Sequence, residues 1–150
     1  RRLYVKISAD IETSQLTGLI PLLTQEADRV IGCNTTRRRD GVPDHYGEIQ
    51  GGLSGAPLRA FSTNMIAEVY RMSKGRLPII GVGGIFTAQD AYQKLRAGAS
   101  LVQVYTGLIY KGPGRVQEIK RNLVDILHGH NLERIEQTVG LSIGEAAQSA

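Results

Sequence analysis

Polar and glycine-rich segments follow four apolar runs, and these segments hold the residues that could do chemistry. Lys6 lies late in the first run, and Asn34 and Thr35 follow the second. Gly81-Val82-Gly83-Gly84 closes the third run, and Tyr105-Thr106-Gly107 closes the fourth. In barrels and in open α/β sheets, ligands bind at the carboxyl ends of the strands. If the four runs are parallel strands, they predict a ligand site at one edge of the sheet.

The glycine run 81–84 is suited to binding a phosphate. Backbone without a Cβ lets N–H groups approach an anion, and the start of a following helix adds positive potential. Phe86 stands where a dinucleotide fingerprint requires its third glycine, and the Gly-Lys-Ser/Thr of a P-loop is absent. The alternative is a tight turn that requires positive φ. In a barrel, Tyr105-Thr106-Gly107 would lie beside this run, and that pairing favours a phosphate site.

The polar side chains allow two interpretations each. Lys6 either faces solvent from an edge strand or reaches an electron-rich heterocycle or anionic intermediate. Asn34 and Thr35 either form an ordinary turn or hydrogen-bond a small planar ligand. Cys33, the only cysteine, is of a type more often buried as a small hydrophobe than used as a nucleophile.

Composition argues against several classes of function. The chain has 150 residues and a net charge of +4, and its single cysteine excludes a disulfide framework or a multi-cysteine zinc site. His45, His128 and His130 show no metal-ligand spacing with carboxylates, so we expect no metal. Arg37-Arg38-Arg39 lacks aromatic partners and is followed by acidic residues, so we expect no nucleic-acid partner.

The elements that must position these residues alternate between strand and helix. Strands are predicted at 3–8, 29–33, 77–82 and 100–105. Helices are predicted with a cap at Thr13 or Ser14, a cap at Ser62 or Thr63, a Thr87–Asp90 capping box, and a start near Gly114. Pro21 should kink or shorten the first helix. This alternation implies a parallel sheet, either an open doubly wound sheet or a TIM-type barrel.

Three features are not explained by this alternation of strands and helices. Residues 35–61 show no convincing helix or strand, and loops beyond about 12–15 residues are uncommon unless they are functional. Residues 141–150 are small and polar and predict a frayed tail. A strand pattern begins almost at once, at Leu3, which raises the expectation that the chain is a piece of a longer protein.

Four motifs in order resemble those of the dihydroorotate dehydrogenase family. They are Asn34-Thr35-Thr36, Gly51-Gly52-Leu53-Ser54-Gly55-Ala56-Pro57-Leu58, Pro78-Ile79-Ile80-Gly81-Val82-Gly83-Gly84, and the run 96–107 ending in Tyr105-Thr106-Gly107. The resemblance extends from Val5 to about Gly140. Pro57-Leu58 with Ser62-Thr63, and Val104-Tyr105-Thr106 with Lys111-Gly112-Pro113, look like the quinone-using, membrane-associated class 2 enzymes of the family.

The resemblance implies that residues 1–140 are the C-terminal half, about four β/α units, of an FMN-binding TIM (β/α)8 barrel. That family oxidises dihydroorotate to orotate in pyrimidine synthesis, and in class 2 a quinone reoxidises the flavin. Carried over position by position, Lys6 matches the lysine beside the flavin's pyrimidine edge, where its charge stabilises the reduced flavin. The other matches are FMN contacts at Ser54 and Gly55, the FMN phosphate cradle at Gly83, Gly84, Tyr105 and Thr106, and substrate contacts at Asn34 and Thr35. Tyr105 would also border the quinone route.

Other expectations come from where the chain departs from the family pattern. The class 2 base is a serine from the first half of the barrel, and no residue here matches it. We therefore expect no catalytic residue in this chain and no activity of the fragment alone. Membrane association, at the mitochondrial inner membrane in eukaryotes or the cytoplasmic membrane in bacteria, would come through the missing N-terminal segment. Residues 37–50 follow no family pattern and receive no role.

Three alternatives remain open at the level of the sequence. One is another flavin barrel oxidoreductase, of the class 1 or dihydropyrimidine type. Another is a half barrel that binds a flavin or phosphate without catalysis. The third is binding of an anionic membrane or nucleic acid, for which the net charge of +4 is the only support.

Overall fold

The computed structural model describes residues 1–148. Four strands of this range form a single parallel sheet. The strands are β1 (Tyr4–Ile7), β2 (Arg29–Gly32), β3 (Ile79–Val82) and β4 (Ala99–Gln103). Their order in the sheet is β1-β2-β3-β4, and all three neighbouring pairs are parallel. Each strand therefore lies beside its successor, as in the wall of a β/α barrel, whereas the strand order of a doubly wound sheet reverses. Of the two predicted architectures, the strand order selects the barrel type.

Helices connect and flank the strands. They are α1 (Thr13–Glu26), α2 (Arg59–Ser73), α3 (Ala88–Arg96), α4 (Thr106–Lys111), α5 (Gly114–Gly129) and α6 (Leu141–Gln148), with short 3₁₀ turns at Asp44–Tyr46, Ala56–Leu58 and Ile135–Thr138. Apolar residues of β1 to β4 pack against α1 and α2 in one cluster. A second cluster joins α3 to α5. One face of the sheet is thus covered, whereas Lys6 and Leu101 are exposed.

The capping prediction for α3 is confirmed. The Thr87 hydroxyl accepts a hydrogen bond from the N–H of Asp90 at 3.1 Å, and the Asp90 carboxylate accepts one from the N–H of Thr87 at 2.9 Å. The two orphan N–H groups are satisfied reciprocally by residues three apart. Because both partners lie within one turn, the sequence suffices to predict this helix start.

The predicted caps of α1 and α2 are wrong. The cap of α1 is Glu12, whose N–H donates to the side-chain oxygen of Gln15 at 3.1 Å. Pro21 lies inside an unbroken α1. Helix α2 begins at Arg59, so Ser62 and Thr63 lie within its first turns and do not cap it. Their hydroxyls instead accept hydrogen bonds from the side chain of Lys94.

The C-terminal stretch also differs from its prediction. Residues Leu141–Gln148 form α6 in place of a frayed tail. The Ser142 hydroxyl donates to the carbonyl of Arg96 at 2.8 Å, and the Arg96 side chain pairs with Glu145. These contacts attach α6 to the end of α3. Residues 149 and 150 of the predicted tail lie outside the described residues.

Replacing Gly98 with alanine should destabilise the fold. Gly98 has a φ of +118°, and an added Cβ would lie 2.3 Å from Cγ of Tyr70. Backbone strain and overpacking together should lower the free energy of unfolding by about 2–4 kcal/mol. Urea unfolding of the full-length protein should show this loss of stability as a lower midpoint.

Gly18→Ala is the matched control for that experiment. Gly18 lies in α1, where an added Cβ would meet nothing within 4 Å. Alanine should stabilise a helix interior by about 0.5–1 kcal/mol. Equal destabilisation by both substitutions would contradict the close approach of Gly98 to Tyr70.

Candidate functional site

A cavity of about 400 Å³ opens at the carboxyl edge of the sheet. This size is typical of a small-molecule or cofactor site. All nine site residues predicted from the sequence line it: Lys6, Asn34, Thr35, Ser54, Gly55, Gly83, Gly84, Tyr105 and Thr106. Parallel strands deliver the segments that follow them to the same edge. The structure thus brings the predicted residues together.

The glycine turn after β3 rests directly on the start of α2. Gly83 and Gly84 have φ values of +112° and +71°, and a Cβ on Gly84 would lie 2.6 Å from Cα of Arg59. The carbonyl of Gly83 accepts from Ser62 Oγ and that of Gly84 from Arg59 Nε, both at 3.0 Å. In a trans peptide the C=O and N–H point in opposite directions. The N–H groups of Gly84 and Ile85 therefore point away from α2.

The turn after β4 packs against the glycine turn. A Cβ on Gly107 would lie 2.4 Å from the carbonyl oxygen of Ile85. Thr106 Oγ1 donates to Ser54 Oγ at 3.0 Å, which ties this turn to the loop after β2 as well. Helix α4, which the sequence did not predict, begins at Thr106. The loops after β2, β3 and β4 thus meet at one end of the cavity. The close packing around Gly84 and Gly107 depends on their lack of a Cβ, and the N–H groups of Gly84 and Ile85 face away from α2, as a phosphate site requires.

Lys6, Asn34 and Thr35 supply polar groups on the other side of the cavity. Lys6 is exposed in β1 and forms no ion pair with any residue between 1 and 148. The N–H of Asn34 donates to the carbonyl of Ile7 at 2.9 Å, which fixes the chain just beyond the ends of β1 and β2. The side-chain oxygen of Asn34 accepts from the N–H of Thr35 at 2.9 Å, so its amide nitrogen is left to donate elsewhere.

The long loop between β2 and α2 is held by Arg39. Its guanidinium donates to the carbonyl oxygens of Ile49 at 2.8 Å and Gly51 at 2.7 Å, and also to those of residues 36–38. Thr36 and Leu53 exchange backbone hydrogen bonds of 3.1 and 2.7 Å. These contacts close the loop at its base. Residues 37–50, which received no role from the sequence, therefore position the neighbours of Thr35 and Ser54.

Asp10 anchors the same loop to the end of β1. Its carboxylate accepts from Thr36 Oγ1 and, at 2.8 Å, from the N–H of Arg37. Partial burial alone would raise the pKa of Asp10, but these hydrogen bonds outweigh it and lower the pKa. The guanidinium of Arg38 lies 4.9 Å from the ring centre of Phe61. Arg38 and Arg39 thus have partners within the chain.

Sequence reasoning missed several residues of the site and its support. Cys33, Ile85 and Gln103 line the cavity as well. Lys94 and Arg59 lie behind the glycine turn and were not singled out. Lys94 stands on α3 three residues after Ala91, which is buried, so helical periodicity could have marked it as a cation on a core-facing position.

Cys33 lies in the cavity wall as a neutral thiol. Its side chain is buried, and burial raises the pKa of this thiol to about 11, although nearby Lys94 and Lys6 act in the opposite direction. The thiolate is the reactive form of cysteine. This arrangement supports the interpretation of Cys33 as a buried small side chain.

Cys33 should therefore resist alkylation in the folded protein. Below its pKa of about 11 the thiol is protonated, so iodoacetamide at pH 8 should modify Cys33 slowly. Peptide mass spectrometry would follow this cysteine alone, with the urea-unfolded protein as the positive control. Equal modification in the folded and unfolded protein would contradict the burial.

Arg39→Gln should loosen the loop between β2 and α2. Loss of the hydrogen bonds to Ile49 and Gly51 leaves residues 40–50 attached by fewer contacts, so local opening becomes more frequent. Chymotrypsin cleavage after Tyr46 should be about tenfold faster, which corresponds to about 1.4 kcal/mol of local stability. Arg37→Gln is the control, because it leaves the guanidinium of Arg39 and its contacts intact. Equal cleavage of the two variants would refute this role of Arg39.

No group of three or more His, Cys, Asp or Glu within residues 1–148 could hold a metal ion. In the same range, no helix has the length and apolar character needed to cross a membrane.

Comparison with known proteins gives one consistent family. The dihydroorotate dehydrogenase family profile matches residues 1–127. A dihydroorotate dehydrogenase (quinone) from Nostoc sp. is 45% identical over 148 residues, covering 93% of this chain and 39% of the relative. One from Deinococcus radiodurans is 43% identical over 137 residues, covering 91% and 37%.

A solved structure agrees with these relatives. The crystal structure of DHODH from Eimeria tenella in complex with ferulenol superimposes with a TM-score of 0.89 at 37% identity, covering 93% of this chain and 38% of that chain. The chain thus spans about two fifths of the length of the relatives it matches. Its four β/α units correspond to part of a β/α barrel.

Proposed function

This chain belongs to the dihydroorotate dehydrogenase family, and from that premise we propose that it is the C-terminal part of an FMN-dependent, quinone-using dihydroorotate dehydrogenase. One observation carries the proposal. The nine residues that match the family's cofactor and substrate contacts, although spread from Lys6 to Thr106, line a single cavity. The product would be orotate, formed in pyrimidine biosynthesis.

The cavity suits FMN at its phosphate end. Gly83 and Gly84 leave no room for a Cβ, and the N–H groups that follow their carbonyls point away from α2. Backbone N–H groups in such a turn bind phosphate oxygens well. Ser54, Gly55, Tyr105 and Thr106 would complete the contacts to the cofactor. When bound, the flavin supplies the hydride acceptor for the oxidation of dihydroorotate.

Lys6 would stabilise negative charge in the reaction. Its ammonium has no ion-pair partner within the described residues and borders the cavity. A fixed positive charge beside a group that gains electrons lowers the barrier without reorganising solvent. Asn34 and Thr35, at the end of the neighbouring strand β2, would hydrogen-bond the substrate ring.

Other residues that the reaction needs are proposed to lie outside this chain. The general base would be a serine from the remaining part of the barrel, so the 150-residue chain alone should not turn over dihydroorotate. We assign contact with the membrane, at the mitochondrial inner membrane or the bacterial cytoplasmic membrane, to an N-terminal segment. Tyr105, whose side chain is 69% exposed beside the cavity, would border the route of the quinone.

Electron transfer by the full-length protein tests the proposal. Dihydroorotate added without oxygen should bleach the bound flavin, and released cofactor should be FMN. A quinone should then restore the flavin colour faster than fumarate or a nicotinamide does. Preference for fumarate or a nicotinamide would favour a class 1 or dihydropyrimidine-type enzyme. A bound flavin that dihydroorotate does not reduce would indicate a non-catalytic binding protein.

Lys6→Met should slow flavin reduction while leaving flavin bound. Removing one preorganised positive group from the reacting site costs about 100-fold in rate. Stopped-flow reduction by dihydroorotate measures it, and the flavin content of the purified variant is the check on folding. Lys120→Met, on the exposed side of α5, is the control and should reduce at the wild-type rate. A wild-type rate for Lys6→Met would refute the role of Lys6.

A further inference from the structure

Lys94 is a fully buried cation beneath the candidate phosphate cradle. Its side chain is 0% exposed. The ammonium donates to the carbonyl of Arg59 at 2.7 Å and to the hydroxyls of Ser62 and Thr63. Three donors thus meet three acceptors, all in the first turns of α2. No carboxylate within residues 1–148 forms an ion pair with it.

A buried lysine without a carboxylate partner is costly to the fold. Desolvation penalises the charged form. It lowers the pKa of Lys94 to about 8, although the fields of Cys33 and Asp90 act in the opposite direction. A leucine or methionine could fill the same space at lower cost. This cost indicates that the charge at this position serves a purpose other than packing.

Lys94 determines the direction of the hydrogen bond from Ser62. A serine hydroxyl has one proton and two lone pairs. Ser62 Oγ lies within hydrogen-bond distance of two carbonyls, that of Arg59 at 3.1 Å and that of Gly83 at 3.0 Å. The Arg59 carbonyl already accepts from Lys94 at 2.7 Å and from Thr63 Oγ1 at 2.8 Å, which occupies both of its lone pairs. Because Lys94 also donates to Ser62 Oγ, the single hydroxyl proton of Ser62 is directed to Gly83.

Arg59 holds the next peptide of the turn in the same way. Its Nε lies 3.0 Å from the carbonyl oxygen of Gly84 and 2.9 Å from Oδ1 of Asp90. The other Asp90 oxygen accepts from the N–H groups of Phe86 and Thr87, both at 2.9 Å. Two successive carbonyls of the glycine turn are therefore bound from the α2 side. Their peptides present N–H groups on the opposite side.

We propose that Lys94, acting through Ser62, and Arg59 are positioning residues for a phosphate monoester bound at the glycine turn, namely the phosphate of the flavin. They hold the N–H groups of Gly84 and Ile85 in place, and Lys94 adds a buried positive charge behind them. This inference rests on the proposed flavin-binding function. It assigns a role to three residues that do not line the cavity and instead lie behind the glycine turn that forms part of its wall.

Comparing FMN with riboflavin isolates the phosphate. The two flavins differ only by that group, so a role in positioning the phosphate should change the affinity for FMN and leave the affinity for riboflavin unchanged. In full-length protein freed of cofactor, Lys94→Met should raise the Kd for FMN at least about tenfold, or about 1.4 kcal/mol. Ser62→Ala should raise it by a smaller factor. The Kd for riboflavin should change by less than about twofold, and Lys120→Met should change neither Kd.

The pH profile gives a second readout that a purely structural role would not produce. Protonated Lys94 favours phosphate binding, and a phosphate monoester is fully charged only above its second pKa of about 6. Wild-type FMN affinity should therefore be full between about pH 6 and the lysine's pKa of about 8, and should fall as pH rises through the latter. Arg59 from α2 and Asp90 from α3 also face Lys94, and the pKa of the neighbouring Cys33 thiol is about 11. Lys94→Met should remove this decline.

The outcomes separate this inference from the function on which it rests. If the wild-type protein binds neither flavin, the proposed function is wrong. If it binds FMN and riboflavin equally, the phosphate cradle is wrong. If Lys94→Met weakens both flavins in proportion, or leaves the pH profile unchanged, Lys94 supports the fold only and the flavin-binding function stands.

Discussion

The close approach of the Gly83–Gly84 turn to the start of α2 is the constraint on which the site depends. A Cβ on Gly84 would lie 2.6 Å from Cα of Arg59, so no other residue allows this contact. The contact fixes where β3 ends relative to α2 and directs two peptide carbonyls towards Ser62 and Arg59. Because α4 then packs against Ile85, the same contact also sets the position of Thr106 and Tyr105.

Several arginines of this chain hold loops in place, so part of its positive charge has a structural role. Arg39 closes the long loop through carbonyl oxygens, Arg38 lies on Phe61, and Arg59 bridges the glycine turn to Asp90. Guanidinium groups suit this task because their donors lie in a fixed plane. Lys6 differs from these arginines, since it borders the cavity and forms no ion pair within the described residues.

Local hydrogen bonding explains which elements the sequence could predict. Thr87 and Asp90 cap α3 as predicted because both partners lie within one turn. Ser62 and Thr63 have the right chemistry for a cap, yet they bind Lys94, which is 32 and 31 residues away along the chain. Such a partner is invisible to a pattern of neighbours. The loop of residues 37–50 received no role for the same reason, because Arg39 acts on residues 10 and 12 positions away.

The sequence by itself determined the alternation of strands and helices and the polar residues at each strand's end, because periodicity and end chemistry are local properties of the chain. It also carried the motifs that match the dihydroorotate dehydrogenase family. Only the tertiary structure decided that the sheet has the sequential order of a barrel. It also decided that nine separated residues share one cavity and that Lys94 lies buried behind their glycine turn. These depend on contacts between residues far apart along the chain, as in the pairing of Val30 with Ile79 and the bonds from Arg59 to Gly84 and from Lys94 to Arg59. Such contacts exist only once the strands pair and the helices pack on the sheet.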